Sequence, residues 1–133
     1  MAEPGNYNRA VLGGLLLRAE DEDSAAPKCR ARLLPRAHHL NSGGSIHGGI
    51  ILGLADASLF AALHVLRALP VSLAVTIDLQ AQFLAPASGD RPVDSVTEIL
   101  RETGRMAFLR GLVIQEDTIA ASFSATVRKA PAR

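Results

Sequence analysis

The sequence predicts an α+β fold in which an antiparallel sheet wraps around one long central helix. One stretch, His47 to about Leu66, has helical patterning with few strongly polar positions, as a helix enclosed by the rest of its fold would. Runs of alternating residues separated by turn formers lie on both sides of it, two short ones before and four after. One sheet around one helix buries both economically.

The 133 residues suit a single domain spanning 1–133, with 1–12 as a lead-in segment and 129–133 as a short basic tail. Aromatic residues are only 4% and Trp is absent, so the core must be built from Ala, Leu, Val and Ile. The 14 basic and 13 acidic residues are scattered, which gives no broad basic surface and argues against nucleic acid as a partner. A lone Cys29 excludes an intrachain disulfide and a CxxC pair, fits a reducing compartment, and reads as a small buried hydrophobe. The opening MAEPGNYNRA lacks the basic-then-apolar order of a secretory signal. The apolar stretch Ile50 to Leu66 carries Asp56, Ser58 and His64, a heavy cost in a bilayer. The expectation is a soluble, cytoplasmic protein without a membrane partner.

Gly13-Gly14 closes the lead-in before a first strand beginning near Leu15. The turn Glu20 to Pro27 separates it from Lys28 to Leu34, where Cys29, Ala31 and Leu33 alternate with Lys28, Arg30 and Arg32, so the two read as a hairpin. Arg36 to Gly49 has neither alternation nor a helical stripe. After the helix, Pro70 blocks continuation. Then Val71, Leu73, Val75, Ile77, Leu79, Ala81 and Phe83 alternate with Ser72, Ala74, Thr76, Asp78, Gln80 and Gln82, a long strand with one buried face. Val93 to Arg101, Arg105 to Gln115 and Ile119 to Arg128 complete what reads as an antiparallel meander of four strands.

Asp56 stands in the middle of the apolar helix, where an unpaired carboxylate costs on the order of 1 to 5 kcal/mol. No Lys or Arg lies three or four residues to either side to pair with it. It is therefore a candidate for chemistry, set against an Asp that only accepts hydrogen bonds from Ser58 or a partner chain. The loop Asn41-Ser42-Gly43-Gly44-Ser45-Ile46-His47-Gly48-Gly49 delivers the chain into the helix N-terminus, whose unpaired amides attract negative charge and suit an oxyanion. The alternative is a flexible linker in which Ser45 merely caps the helix. No Gly-Lys-Ser/Thr follows, so it is not a phosphate loop. His38, His39, His47 and His64 lack a recognised ligand spacing, so no metal or other cofactor is expected.

The two features join in the string HLNSGGSIHGGIILGLAD, residues 39–56. It resembles the signature of hotdog-fold acyl-CoA thioesterases of the phenylacetate-pathway type: Asn, His-Gly-Gly six residues on, and Asp nine after that His. Asn41, His47, Gly48, Gly49 and Asp56 match it. TIDLQAQFLAP resembles a later strand of that family, with Thr76, Asp78 and Pro86 on the matching places, and Gly104-Arg105 opens a family-like strand. The resemblance runs from about His38 to Val127. It implies a hotdog homodimer or homotetramer with active sites at the dimer interface and an acyl-CoA substrate. The Gly48 amide, with Asn41, would polarise the thioester carbonyl, and Asp56 from the opposing subunit would act as general base or nucleophile, with Thr76 orienting the water. His47 is given the shaping of the loop beside the substrate, with Gly49, rather than proton transfer. Leu59, Leu63 and Phe83 are candidate walls for a small aromatic or short to medium aliphatic acyl group. Arg91, Arg101, Arg105 and Arg128 are candidates for the phosphates of CoA but better suit solvated strand ends. The competing readings are a hotdog hydratase or dehydratase, in which a His moves the proton, and a silent acyl-CoA binding module.

Overall fold

The computed structural model describes residues 7–70 and 74–129. A one-turn helix α1 (Tyr7–Ala10) leads in. Gly13 and Gly14 follow at φ of 82° and 83°, backbone that residues with a Cβ avoid, and the Gly14 amide closes the segment on the Asn8 carbonyl at 2.7 Å. Strands β1 (Leu16–Glu20) and β2 (Lys28–Leu33) pair as the predicted hairpin. Helix α2 (Gly48–Arg67) comes next, then β3 (Val75–Phe83), β4 (Val93–Glu102), β5 (Met106–Gln115) and β6 (Thr118–Arg128). Val71, Ser72 and Leu73, expected to open β3, lie outside the described residues.

The six strands form one sheet in the order β1-β2-β4-β5-β6-β3, antiparallel throughout. A hotdog fold is the result, but the four-strand meander is not. Of the four strands after the helix, only β4, β5 and β6 are consecutive neighbours, while β2 pairs with β4 and β3 lies at the far edge beside β6. The helix explains this: its 20 residues extend about 30 Å, enough to carry the chain across the sheet's inner face. The place beside β2 is left for β4.

The inner face is built as the alternation predicts, from Cys29, Ala31, Leu33, Val93, Val113, Phe123, Ala125 and Val127. Against it α2 packs Ile51, Leu54, Ala55, Ser58, Leu59, Ala62 and Leu63. The helix is not enclosed all round, however: Leu52 is exposed, and Asp56, Ala57 and Phe60 are only half-buried. Nor does β3 bury one face. Val75, Ile77 and Phe83 are exposed, because β3 is an edge strand on which only β6 packs laterally.

On the outer face, Asp94 accepts from Arg30 Nη1 at 2.8 Å and Arg32 Nε at 2.9 Å. Burial alone would raise the Asp94 carboxyl pKa, but hydrogen bonds from Arg32 and Arg30 outweigh it and hold the value below the usual carboxylate range. A depressed folded pKa gives stability that is complete above the unfolded value, near ~4, and is lost as pH falls through the folded value. Denaturant unfolding should therefore show stability dropping below about pH 4. Asp94→Asn should be weaker than the parent at pH 7 by about 1 to 3 kcal/mol, with a shallower acid loss. Equal stability of the two at pH 7 would remove Asp94 from this role.

Candidate active site

The loop before α2 is a compact turn rather than a slack linker. The Asn41 amide donates to the Ser45 carbonyl at 2.8 Å, and the Asn41 side-chain Oδ1 accepts from the Gly43 and Ser45 amides at 2.9 and 3.1 Å. Gly44 supplies the left-handed residue at φ 84°. The Ile46 amide then donates to the Ala87 carbonyl at 2.9 Å, stitching this loop to the one after β3. Gln115, buried at the end of β5, fastens that second loop by accepting from the Ser88 amide at 2.7 Å and donating to the Ser88 carbonyl at 2.8 Å. Sequence reasoning missed Gln115; its signal was a polar residue ending the apolar run Leu112-Val113-Ile114.

His47, not Ser45, caps α2. Its Nδ1 accepts from the Gly49 amide at 2.9 Å, and its carbonyl accepts from the Ile50 and Ile51 amides at 2.9 and 3.2 Å. Its own amide donates to the His39 carbonyl at 2.8 Å. The Gly48 amide is thereby left, among the described residues, as the donor at this terminus without a partner. It sits where the helix dipole is positive. Phe83, 56% exposed, lies over Gly48: a Cβ added there would meet its ring at 3.6 Å.

These residues border a cleft of about 450 Å³ lined by Asn41, Gly48, Ile51, Phe83, Pro86 and Ala120, among others. Leu59 and Leu63, expected as pocket walls, are instead 0% and 1% exposed in the core. Phe83, the third expected wall residue, does line the cleft, together with Ile51. Gly49 is exposed and its amide is committed to His47.

Asp56 is not in this cleft. It stands eight residues along α2 from Gly48, about 12 Å by helical rise, half-buried on the flank of the helix that meets β3. The Thr76 hydroxyl donates to Asp56 Oδ1 at 2.7 Å. That bond depends on a register shift in β3 between Thr76 and Asp78. Thr76 pairs with Val127 and Leu79 with Ala125, so the bulge at Ile77 turns Thr76 onto the inner face that plain alternation would have denied it. Two of the other histidines are structural: His38 Nε2 and His39 Nε2 both bond the Val11 carbonyl, at 2.9 and 2.6 Å, and His39 Nδ1 accepts the Arg36 amide at 3.0 Å.

Residues 43–121 match the family model of the thioesterase superfamily, which is more than half of the chain. No curated protein matches it in sequence. Among solved structures, a mutant of the phenylacetic acid degradation protein PaaI from Thermus thermophilus is similar at 23% identity and a TM-score of 0.75, over 94% of this chain and 100% of that one. The E. coli PaaI protein from the phenylacetic acid degradation operon gives 19% and 0.76, over 96% and 86%. A conserved protein from Pseudomonas aeruginosa gives 23% and 0.78, over 98% and 96%. At these identities the likeness is one of fold.

Proposed function

Since the chain belongs to the thioesterase superfamily, we propose that it is a cytoplasmic acyl-CoA thioesterase that releases CoA and a small free acid from sites shared between two copies of itself. The observation that carries the reading is the separation on α2 of an amide without a partner among the described residues, Gly48, from a carboxylate, Asp56, held by Thr76. One chain holds both halves of an acyl-transfer site about 12 Å apart. Two copies meeting across a twofold axis, with their helices antiparallel, would bring each Gly48 to the other's Asp56. The free edge of β3, with Val75, Ile77 and Phe83 exposed, and the uncovered Leu52 on α2 supply apolar surface for that pairing, in a dimer or in a tetramer built from two such dimers.

In this arrangement the thioester oxygen accepts from the Gly48 amide, which stabilises the charge that develops there on attack. The Asn41 side chain shapes the loop that presents this amide. Asp56 takes a proton from water as the water attacks the acyl carbon, or attacks that carbon itself to form an anhydride that water then opens. The C–S bond breaks, and the CoA thiolate leaves and is protonated. Thr76 keeps the Asp56 carboxylate oriented.

A hotdog hydratase needs a free imidazole at the thioester. His47 Nδ1 accepts from the Gly49 amide, which in the neutral ring puts the proton on Nε2 and leaves no basic nitrogen free, and this favours hydrolysis over that reading. A silent binding module has no use for a carboxylate on an apolar helix face. Thiol release, followed with a thiol-reactive dye across phenylacetyl-, benzoyl-, and short and medium aliphatic acyl-CoAs, tests the proposal. The protein's own Cys29 is buried, with its pKa pushed up to about 11 by burial and then by Glu20, so the native chain contributes little background. Saturable release from at least one member is expected; tight binding without release from any would turn the assignment to the silent module.

A further inference from the structure

We propose that Tyr7 is the gauge of acyl length: its phenol closes the end of the acyl site beside Asp56 and restricts the enzyme to short or compact acyl groups. The inference rests on the thioesterase reading and deepens it.

It begins from a glycine in an unfavourable place. Gly53 lies in the interior of α2, where glycine costs up to about 1 kcal/mol relative to alanine. A close approach explains it. A Cβ at Gly53 would overlap the Tyr7 hydroxyl and come within 3.0 Å of Tyr7 Cζ and 3.2 Å of Cε2. Glycine is what lets the ring tip rest on the helix.

That contact is one turn from Asp56. Residues three apart share a helix face, and the rise between them is about 4.5 Å. Gly53, Asp56 and Phe60 all lie on the side of α2 turned away from its buried stripe. In the dimer proposed above, an acyl group whose carbonyl carbon meets the Asp56 carboxylate has this face open to it, where the exposed Leu52 and half-buried Phe60 are the apolar side chains. In one direction it meets the Tyr7 ring after only a few carbons. The Tyr7 hydroxyl makes no hydrogen bond among the described residues.

The ring is also held in position. The Tyr7 carbonyl accepts from the Val11 and Leu12 amides at 2.8 and 3.2 Å, and Leu12 is buried in the core. The Val11 carbonyl is clamped by His38 and His39, and the His39 carbonyl in turn accepts from the helix cap His47. The segment carrying Tyr7 is thereby fixed to the loop that builds the Gly48 half of the site.

The test is a chain-length profile. For the parent, Tyr7→Ala and Tyr7→Phe, kcat/KM is measured on acyl-CoAs from butanoyl to dodecanoyl. Binding of the matching non-hydrolysable thioether analogues is measured by calorimetry, and thermal melts check folding. Tyr7→Ala should raise kcat/KM for long relative to short chains by about tenfold or more, from the scale at which pockets discriminate methylenes, and shift analogue affinity the same way. Tyr7→Phe, which opens only the depth of one atom, should move the optimum by about one carbon. A Tyr7→Ala profile parallel to the parent's in both rate and binding overturns the gauge. An inactive parent would count against the thioesterase, while the analogue-binding profile would still decide whether Tyr7 limits length.

Discussion

Asp56→Asn is expected to lower kcat by a factor of about 100 or more, the range of lost acid–base or covalent catalysis, while leaving the thermal melt in place. The substitution preserves shape, and an Asn Oδ1 still accepts the Thr76 hydroxyl that now reaches Asp56 at 2.7 Å. What it removes is the proton acceptor or nucleophile, and with it the charge. The thermal melt of the variant separates the lost chemistry from any loss of folding. Steady-state thiol release with the best acyl-CoA of the panel is the measurement. Turnover within a few fold of the parent would remove Asp56 from the chemistry and leave the thioesterase assignment without its carboxylate.

Much of the scaffold was legible because its signals are local. Cys29, Ala31 and Leu33 alternate with three basic residues, and the structure buries the first set and exposes or half-buries the second. The start and end of α2 followed from the glycines before it and Pro70 after it, to within a residue or so. What the sequence hid depends on partners far along the chain. The pairing of β3 with β6 leaves no trace in β3 itself, since an alternating strand reads alike at an edge or in a centre. The bulge at Ile77 was equally silent, and it moved Thr76 from the face that alternation assigns to the one that meets Asp56.

The same reasoning explains the unevenness within the site. Asn41, His47, Gly48 and Asp56 could be singled out because a linked motif joins them. The burial of Leu59 and Leu63 was not legible, because α2 is apolar around most of its circumference and composition alone does not say which face turns to the sheet. Tyr7 gave no signal: its segment is one turn long, and its meaning lies in a contact with Gly53, 46 positions away.

Mixing two inactive variants should restore activity if the site is shared between chains. Asn41→Ala removes the acceptor that holds the Gly43 and Ser45 amides, and so disorders the loop presenting Gly48. It leaves the Asp56–Thr76 pair untouched. Asp56→Asn does the reverse. In a hybrid dimer one of the two sites joins both defects, and the other draws an intact loop from one chain and an intact Asp56 from its partner. Random pairing of equal amounts makes half of the dimers hybrid, so the mixture should recover about a quarter of the parent's activity, against a background near zero for either variant alone. The variants carry distinct tags, are unfolded and refolded together, and hybrids are verified by sequential affinity capture before thiol release is measured. Verified hybrids without activity would place Asn41 and Asp56 in one chain's site. That would require α2 to bend or the acyl-CoA to reach across about 12 Å of helix, neither of which the unbroken run of α2 from Gly48 to Arg67 favours.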